Sequence, residues 1–294
     1  MRILKFGGKS LSDENKVSSI CKYIKNIYKK DKEIIVVVSA QGKTTDNLLS
    51  EAKKYMPDKT NKRELDVLLS TGETVSSALF AMALSKQDLP AKSFQAFQLE
   101  ISTFGDFSDS KIAYINKTLI NECLKNNIIA VVSGFQGINS KGEITTLGRG
   151  GSDTTASALG AIFDCDVEIY SDFDGVFSGD PRKLEYKKLK NIDYDSMILL
   201  SKNGAKVIDE KSTILAKNFK FKILSKSSSK PNLCGTEISS VERDIISITE
   251  IENLCRVSII FSNPSRMQNI VKRKSYLCAN IDTDKEEKIK YFTF

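Results

Sequence analysis

The sequence predicts an α/β protein with a mostly parallel sheet and helices on both of its faces. Strand-like and helix-like segments alternate throughout residues 1–240, which is the pattern of such a fold. Two continuous runs rich in β-branched residues, 33–38 and 128–132, are typical of strands buried on both faces. In open α/β sheets the ligand lies at the carboxyl ends of the strands. Glycines follow the predicted strands at positions 7, 8, 42, 134 and 137.

The other elements follow from hydrophobic periodicity, which is about 3.6 residues for an amphipathic helix and two for a half-buried strand. Ser12 or Asp13 is placed to cap the first helix. The segment 64–86 is interpreted as two helical pieces broken at Thr71 and Gly72. The predicted helices cover 13–30, 45–55, 64–86, 111–127, 153–164, 196–208 and 211–219, and the predicted strands cover 2–6, 33–38, 128–132, 166–175 and 220–226, with strand and turn over 91–103.

Composition narrows the class of protein. The 294 residues carry a net charge of +7, but the lysines are spread over helix-like segments with acidic residues among them, so nucleic acid is not expected as a partner. A phosphorylated substrate would also suit this charge. We expect a cytoplasmic protein without a membrane span, because no apolar run approaches the roughly 18–20 residues that a span needs. The six cysteines form no CxxC pair, which favours reduced thiols over zinc or redox motifs.

The absence of histidine excludes several mechanisms at once. Ser-His-Asp and Cys-His catalysis, HExxH zinc sites and histidine general bases all need a residue that this chain lacks. Any chemistry must therefore use lysine, arginine, carboxylates, hydroxyls and backbone N–H groups, or a metal held by oxygen atoms.

The sequence KFGGKS, residues 5–10, leads from a strand into a helix. Its two glycines allow the backbone to approach a ligand and to point N–H groups at an anion, and Lys5 can reach a phosphate. An ordinary strand-to-helix turn remains an alternative. Thr44 and Thr45 follow the next strand in the same way, and they could contact a ligand or cap the next helix.

The sequence TTLGRGGSDTT, residues 145–155, concentrates glycines, hydroxyls, one arginine and one aspartate before a helix. Arg149 offers a planar fork that matches a carboxylate, and the glycines bring backbone donors close to it. Helix capping would explain Asp153 but not the glycines and the arginine before it. Earlier in the chain, Glu73 is predicted at a helix start, where it could receive an ammonium group.

The sequence YSDFDGVFSGDPR, residues 170–182, follows a predicted strand and contains three aspartates. It lacks the spacing of an EF-hand, so ordinary turn chemistry is favoured over calcium. Anion-binding loops, a few carboxylates and the cationic side chains of lysine and arginine together fit phosphoryl transfer, where positioning and charge stabilisation dominate catalysis.

These motifs occur in one order and resemble those of the aspartate kinases of the amino acid kinase family. The resemblance covers residues 1–240 and rests mainly on TTLGRGGSDTT and on YSDFDGVFSGDPR. It implies a three-layer sandwich with an open, mostly parallel central sheet. It also implies transfer of the γ-phosphate of ATP to the side-chain carboxylate of L-aspartate, giving 4-phospho-L-aspartate, the first step of lysine, threonine and methionine synthesis.

The resemblance assigns three groups of site residues. The catalytic residues would be Lys5, Gly8, Asp153 and Lys206. The residues that bind aspartate would be Thr45, Glu73, Arg149, Gly150, Gly151 and Ser152. The residues that bind the nucleotide would be Lys5, Phe6, Gly7, Gly8, Ser171, Asp172, Phe177, Arg182, Lys206 and Val207. Mg²⁺ would be carried largely by the phosphates of ATP, and no residue is assigned to a metal.

The resemblance also divides the chain. Residues 1–240 would form the kinase domain, and residues 241–294 look like part of an ACT regulatory unit whose exposed strand edge favours a homo-oligomer, a dimer or larger. Lys9, Phe177 and the run 209–211 depart from the family pattern. Two alternatives stay open, namely a kinase of the same fold for another amino acid carboxylate, and a catalytically weak regulatory or binding subunit.

Overall fold

A computed structural model describes residues 1–56, 61–179, 187–205 and 207–240, together with four strands farther along the chain. The strands, in chain order, are β1 (Arg2–Phe6), β2 (Ile34–Val38), β3 (Ala91–Phe94), β4 (Ser102–Phe104), β5 (Lys111–Tyr114), β6 (Ile129–Ser133), β7 (Gln136–Ile138), β8 (Ile144–Thr146), β9 (Val167–Ser171), β10 (Asn191–Asp193), β11 (Ile223–Ser227), β12 (Thr236–Ser239), β13 (Ile246–Glu250), β14 (Arg256–Phe261), β15 (Asn280–Thr283) and β16 (Ile289–Thr293). The helices are α1 (Glu14–Tyr28), α2 (Thr44–Tyr55), α3 (Lys62–Ser85), α4 (Thr118–Lys125), α5 (Gly151–Phe163), α6 (Tyr194–Lys202) and α7 (Glu210–Phe219), and a short 3-10 turn covers Gly8–Leu11.

The central sheet has eight strands in the order β10-β12-β11-β9-β1-β2-β6-β3. Its pairs are parallel except for β11 and β12, which run antiparallel. Every residue of β2 and β6 is buried, as the β-branched runs predict for strands covered on both faces. The predicted mostly parallel α/β fold is therefore confirmed.

Side chains of alternate parity on these strands enter two separate cores. One core joins Ile35 and Val37 to apolar residues of α4, α5, α6 and α7. The other joins Val36 and Val38 to apolar residues of α1 and α3. Two layers of helices thus enclose the sheet, which confirms the three-layer sandwich.

Two smaller sheets accompany the central one. β5, β4, β7 and β8 form a four-stranded mixed sheet. β13, β14, β16 and β15 form a second four-stranded sheet in which every pair is antiparallel. The sequence pattern of residues 264–276 predicts a further helix, and this segment lies outside the described residues.

Helix α3 corrects two predictions. It is one continuous helix of 24 residues rather than two pieces broken at Thr71 and Gly72, and Glu73 lies in its middle rather than at its start. Gly72 is a packing position: a Cβ added there would come within 2.9 Å of the Cβ of Ala40. Its glycine allows the helix to approach the loop after β2, and this close contact offsets the low helix propensity of glycine.

The length and apolar composition of α3 would also suit a membrane span. Instead, α3 packs Leu65, Phe80 and Leu84 into the protein and buries the carboxyl side chains of Asp66 and Glu73. This burial explains its apolar composition, since a core helix meets apolar neighbours along its length.

Other helix boundaries differ from the predictions at their ends. Of the predicted helix 111–127, the first four residues form the edge strand β5, because pairing with β4 satisfies their backbone groups. The predicted helix 196–208 ends at Lys202, since Gly204 has a φ of +100° that a helix cannot continue.

The predicted helix caps have different outcomes. Asp13 caps α1 by accepting a hydrogen bond from the Lys16 N–H at 3.0 Å, as predicted. At α2 the cap position belongs to Lys43, and its side chain makes no capping hydrogen bond. Thr44 and Thr45 instead lie in the first turn of the helix, which leaves their hydroxyls without a capping role.

Candidate active site

The centre of the site is an ion pair between Lys5 and Asp153. Lys5 belongs to β1 and Asp153 to the first turn of α5, and both side chains are buried. The Lys5 Nζ lies 2.6 Å from the Asp153 Oδ1. Asp153 therefore does more than cap a helix, because it pairs with the buried ammonium group of Lys5 at the carboxyl edge of the central sheet.

Beside Lys5, the chain forms a close crossing of two glycine turns. A Cβ added to Gly8 would lie 2.4 Å from the carbonyl oxygen of Ala40, so no side chain fits there. The Gly42 N–H donates to the Gly8 carbonyl at 2.9 Å, which joins the turns after β1 and β2. The Gly7 N–H is already engaged with the Tyr170 carbonyl at 3.2 Å, so it is not free for an anion as the sequence suggested.

The 3-10 turn after Gly7 adds candidate anion donors, although the Ser10 N–H is already engaged with the Gly7 carbonyl at 2.9 Å. N–H groups at the start of a helical turn have no partner within that turn. The Ser10 hydroxyl is buried, and within the described parts of the chain it has no hydrogen-bond partner. Phe6 directs its ring into the core, where it stacks on Tyr170 with 4.8 Å between ring centroids. The ring of Phe6 is therefore not available to a ligand, and its carbonyl already accepts the Ser39 N–H at 3.2 Å.

Glu73 reaches the same region from α3. Its side chain is only 5% exposed, and its Oε1 accepts a hydrogen bond from the Ala40 N–H at 3.0 Å. Its Oε2 has no partner among the residues that the structure describes. Burial raises the pKa of Glu73 to about 7, although the Ala40 N–H and the positive charge of Lys5 act to lower it.

Residues 147–151, called the 147–151 loop below, lead from β8 into α5. Gly148 and Gly150 have φ values of +76° and +71°, which favour glycine. A Cβ on Gly151 would lie 2.8 Å from the Phe135 ring, so the helix start packs tightly on the turn after β6. Arg149 is exposed, and no hydrogen bond or ion pair joins it to another described residue.

Ser152 connects this helix start to the turn after β2. Its hydroxyl lies 2.6 Å from the hydroxyl of Ser39, and a Cβ on Gly134 would lie 2.5 Å from the Ser152 Cβ. The contacts of Ser152 with Ser39 and Gly134 place it at the meeting point of the turns that follow β2 and β6. Thr45 is half-buried in the first turn of α2.

The residues predicted to bind the nucleotide occupy several places. The Ser171 carbonyl, at the end of β9, accepts a hydrogen bond from the Ser228 N–H at 2.8 Å. Asp172 is exposed and pairs with Lys9 at 3.1 Å. Phe177 is half-buried and forms a β-bridge with Lys188, and Val207 packs against the larger core. Arg182 and Lys206 lie outside the described residues.

Asp209 and Lys211 contact the 147–151 loop, a role that the sequence did not predict. Both belong to the run 209–211 that departs from the family pattern. Asp209 caps α7, and a Cβ on Gly150 would lie 2.3 Å from its carboxylate. Burial raises the pKa of Asp209, and the negative charge of Asp153 raises it further. The Lys211 Nζ donates to the Leu147 carbonyl at 2.9 Å and pairs with Asp109 at 2.5 Å.

Comparison with known proteins finds relatives for this arrangement. Residues 1–224 match the model of the amino acid kinase family. The chain is 39% identical over 265 residues to an aspartokinase of Geobacillus stearothermophilus, which covers 88% of this chain and 65% of the relative. It thus spans less than two thirds of that relative and about half of an aspartokinase of Thermus thermophilus, of which it covers 54% at 41% identity.

Solved structures agree with these sequence matches. The aspartate kinase of Synechocystis superposes with a TM-score of 0.71 at 29% identity, covering 99% of this chain and 52% of that one. The aspartokinase III of E. coli in complex with aspartate and ADP superposes with a TM-score of 0.73 at 20% identity, covering 100% of this chain and 78% of that one, which supports the fold. The chain therefore belongs to the amino acid kinase family.

Proposed function

We propose that this chain carries the catalytic part of an aspartate kinase, which transfers the γ-phosphate of ATP to the side-chain carboxylate of L-aspartate and forms 4-phospho-L-aspartate. This reaction would open lysine, threonine and methionine synthesis. The observation that carries the proposal is the buried Lys5–Asp153 pair, which lies between a glycine crossing suited to phosphate and a loop suited to an amino acid. Relatives named aspartokinase support it.

On the phosphate side, Lys5 would bind the transferring group. Its ammonium is held by Asp153 at the carboxyl edge of the sheet, where Gly8 permits close approach of a ligand. The Ser10 hydroxyl, which has no partner within the described ranges, can donate a hydrogen bond to the same anion. Fixed donors of this kind stabilise the charge that is spread over the phosphoryl oxygens in the transition state.

On the acceptor side, Glu73 and Arg149 would hold opposite ends of aspartate. The Glu73 Oε2 lacks a partner in the described parts of the chain and can accept a hydrogen bond from the substrate ammonium. Arg149 is unpaired among the described residues and can bind a carboxylate through two hydrogen bonds. Thr45, Gly150 and Ser152 would complete this side. The reacting carboxylate is ionised near neutral pH, so the absence of histidine is no obstacle.

The nucleotide would lie toward Ser171, Asp172, Phe177 and Val207, with Arg182 and Lys206 as further predicted contacts. The described residues offer no cluster of three side chains able to hold a metal ion. In this proposal a Mg²⁺ ion would be held chiefly by the phosphates of ATP, where it would neutralise part of their charge. In this proposal Lys5 and the glycine crossing position the phosphates that carry it.

Turnover with MgATP and L-aspartate tests the proposal, with the acyl phosphate trapped as its hydroxamate and L-glutamate as the control acceptor. Lys5→Ala should lower kcat by about 10²–10³-fold, as expected for loss of one transition-state donor. Lys222→Ala is the matched control, because Lys222 pairs with Glu237 at the opposite edge of the sheet. Product with glutamate but not aspartate, or an unchanged rate in Lys5→Ala, would contradict the assignment.

One observation favours a second candidate, a regulatory subunit with weak catalysis. The exposed Lys9–Asp172 pair joins the turn after β1 to the turn after β9, where a nucleotide would enter. If this pair obstructs ATP, Lys9→Ser should lower the KM for ATP and raise a weak activity. If the chain is an active kinase, Lys9→Ser should leave kcat within about twofold, because exposed ion pairs contribute little.

We also propose the division of the chain into a kinase domain, 1–240, and an ACT-like part, 241–294, whose four described strands form an antiparallel sheet. A homo-oligomer in the cytoplasm remains our prediction. Light scattering of the purified chain would measure its assembly, and a monomer at micromolar concentration would contradict it.

A further inference from the structure

Asp66 is a buried carboxylate that the predicted site did not include. It lies on α3, seven positions before Glu73, and its exposed fraction is 0%. At 3.6 residues per turn, seven positions are about two turns, so the two carboxyl groups share one face of the helix. A buried carboxyl group needs hydrogen-bond partners, and those of Asp66 come from two other parts of the chain.

The two oxygens of Asp66 divide four hydrogen bonds between them. Oδ2 accepts the backbone N–H groups of Ser108 at 2.8 Å and of Thr146 at 2.7 Å. Oδ1 accepts the hydroxyls of the same two residues, at 2.7 Å for Ser108 and 2.9 Å for Thr146. One side chain thus fixes both the main chain and the side chain of each residue.

Both partners of Asp66 position the 147–151 loop. Thr146 is the last residue of β8 and directly precedes this loop. The turn containing Ser108 lies beneath Gly148, because a Cβ on Gly148 would come within 2.8 Å of the Ser108 carbonyl oxygen. Asp66 therefore fixes the start of the loop from two sides.

We propose that Asp66 is a positioning residue for the acceptor amino acid. By fixing Thr146 and Ser108, it sets where the 147–151 loop leaves β8, and so where Arg149 meets the substrate carboxylate. The same helix carries Glu73, so α3 sets the distance between the group that binds the ammonium and the group that binds the carboxylate. This inference rests on the proposed function, since it takes the ligand of the loop to be an amino acid.

Steady-state kinetics of Asp66→Ala and Asp66→Asn test this role. Asp66→Ala should raise the KM for L-aspartate about tenfold, equivalent to about 1.4 kcal/mol, and change the KM for ATP less than about twofold. Asp66→Asn should stay within about threefold of the parent protein. Its oxygen can accept both N–H groups, and its NH₂ can donate to both hydroxyls after they rotate.

Tyr194→Phe is the matched control for lost stability. The Tyr194 hydroxyl donates to the Phe221 carbonyl at 2.8 Å, a buried bond that precedes β11 and lies away from the 147–151 loop. Its loss should lower the thermal midpoint without separating the two KM values. If Asp66→Ala fails to fold, the double variant Ser108→Ala, Thr146→Val removes only the two hydroxyl bonds and takes its place.

The outcomes separate this inference from the proposed function. Equal changes in both KM values, or a loss in Asp66→Asn as large as in Asp66→Ala, would overturn the positioning role. If the parent protein forms no hydroxamate, calorimetry of L-aspartate binding replaces kinetics. In that case weaker binding in Asp66→Ala and near-normal binding in Asp66→Asn support the role of Asp66 while the catalytic proposal fails. No binding by the parent protein would overturn both.

Discussion

Glu73 and Glu168 are two glutamates that are buried to nearly the same degree, but their hydrogen-bond partners and the directions of their pKa shifts differ. Their exposed fractions are 5% and 6%. Burial raises the pKa of Glu73 to about 7, because only one of its oxygens has a described partner. Burial acts on Glu168 in the same direction, but the Tyr170 hydroxyl, Arg2 and Lys226 more than offset it and lower its pKa.

This difference separates a binding group from a structural one. Glu168 accepts a hydrogen bond from the Tyr170 hydroxyl at 2.7 Å and pairs with Lys226 at 3.1 Å and with Arg2. Both carboxylate oxygens of Glu168, near the beginning of β9, therefore accept hydrogen bonds from within the protein. Glu73, at the opposite edge of the sheet, keeps one oxygen without a partner among the residues that the structure covers. A buried carboxyl group with unused capacity and a raised pKa is a candidate for ligand binding.

The largest effect on stability should come from replacing Glu168, whose two carboxylate oxygens both have partners. Glu168→Ala leaves Arg2 and Lys226 without their carboxylate partner, and loss of one member of a buried ion pair costs about 3–5 kcal/mol. Arg2 is partly exposed, so we expect about 3 kcal/mol of lost unfolding free energy in urea titrations. The folded fraction should keep its KM for aspartate. A KM that rises with unchanged stability would reverse the roles of the two glutamates.

Glu73→Gln should have the opposite profile. The neutral amide removes the charge that would hold the substrate ammonium, so kcat/KM for aspartate should fall about 10–100-fold, or about 1.4–2.7 kcal/mol. Unfolding free energy at pH 8 should not fall, because the parent protein then buries a charge that the variant lacks. Unchanged kinetics with lower stability would make Glu73 structural as well.

The pH dependence of stability sharpens the comparison. The folded pKa of Glu73, about 7, lies above its ordinary value of 4.5, so the folded state binds the proton more tightly than the unfolded state. Between pH 5 and 8 the parent protein should lose about 2 kcal/mol of stability relative to Glu73→Gln. Glu168 has a lowered pKa, so its contribution is present over this range and is lost only in more acidic solution. A constant difference between the two proteins from pH 5 to 8 would contradict the raised pKa.

The smallest effect should come from the periphery of the Glu168 network. The Tyr23 hydroxyl lies 2.9 Å from the Tyr170 hydroxyl, which in turn donates to Glu168. Tyr23→Phe should cost about 1 kcal/mol, the usual contribution of one hydrogen bond, and leave turnover unchanged. Thermal unfolding and the hydroxamate assay measure both. Lost turnover in Tyr23→Phe would extend the active site into this network.

The sequence predicted most of the fold because the relevant signals are local. The runs in β2 and β6 identify buried strands, and Asp13 identifies a helix start. Prediction failed where a distant contact decided the outcome. Gly72 looked like a helix break, yet the adjacent Ala40 requires a glycine within an unbroken helix. Residues 111–114 looked helical, yet pairing with β4 makes them a strand.

The candidate site shows the same limit. Glycines after strands and the motif around Arg149 pointed to Lys5, Arg149 and Asp153, and an expected helix start pointed to Glu73. The pairing of Lys5 with Asp153 at 2.6 Å could come only from the fold, because β1 and α5 are far apart in the chain. Asp66 gave no signal that distinguished it from any other helix aspartate, since its partners lie 42 and 80 positions away.

The sequence by itself determined the fold class, the glycines that follow the strands and the absence of histidine chemistry, because each depends on the type and order of residues. The tertiary structure decided which buried carboxylates are satisfied and which remain available. Glu73, Glu168 and Asp66 all carry a carboxyl group, and neighbours brought together from separate elements set the hydrogen bonds of all three and the pKa shifts of the two glutamates. Burial increases both the free-energy cost of an unpaired charge and the strength of a well-made hydrogen bond, so only the three-dimensional arrangement separates binding groups from structural ones.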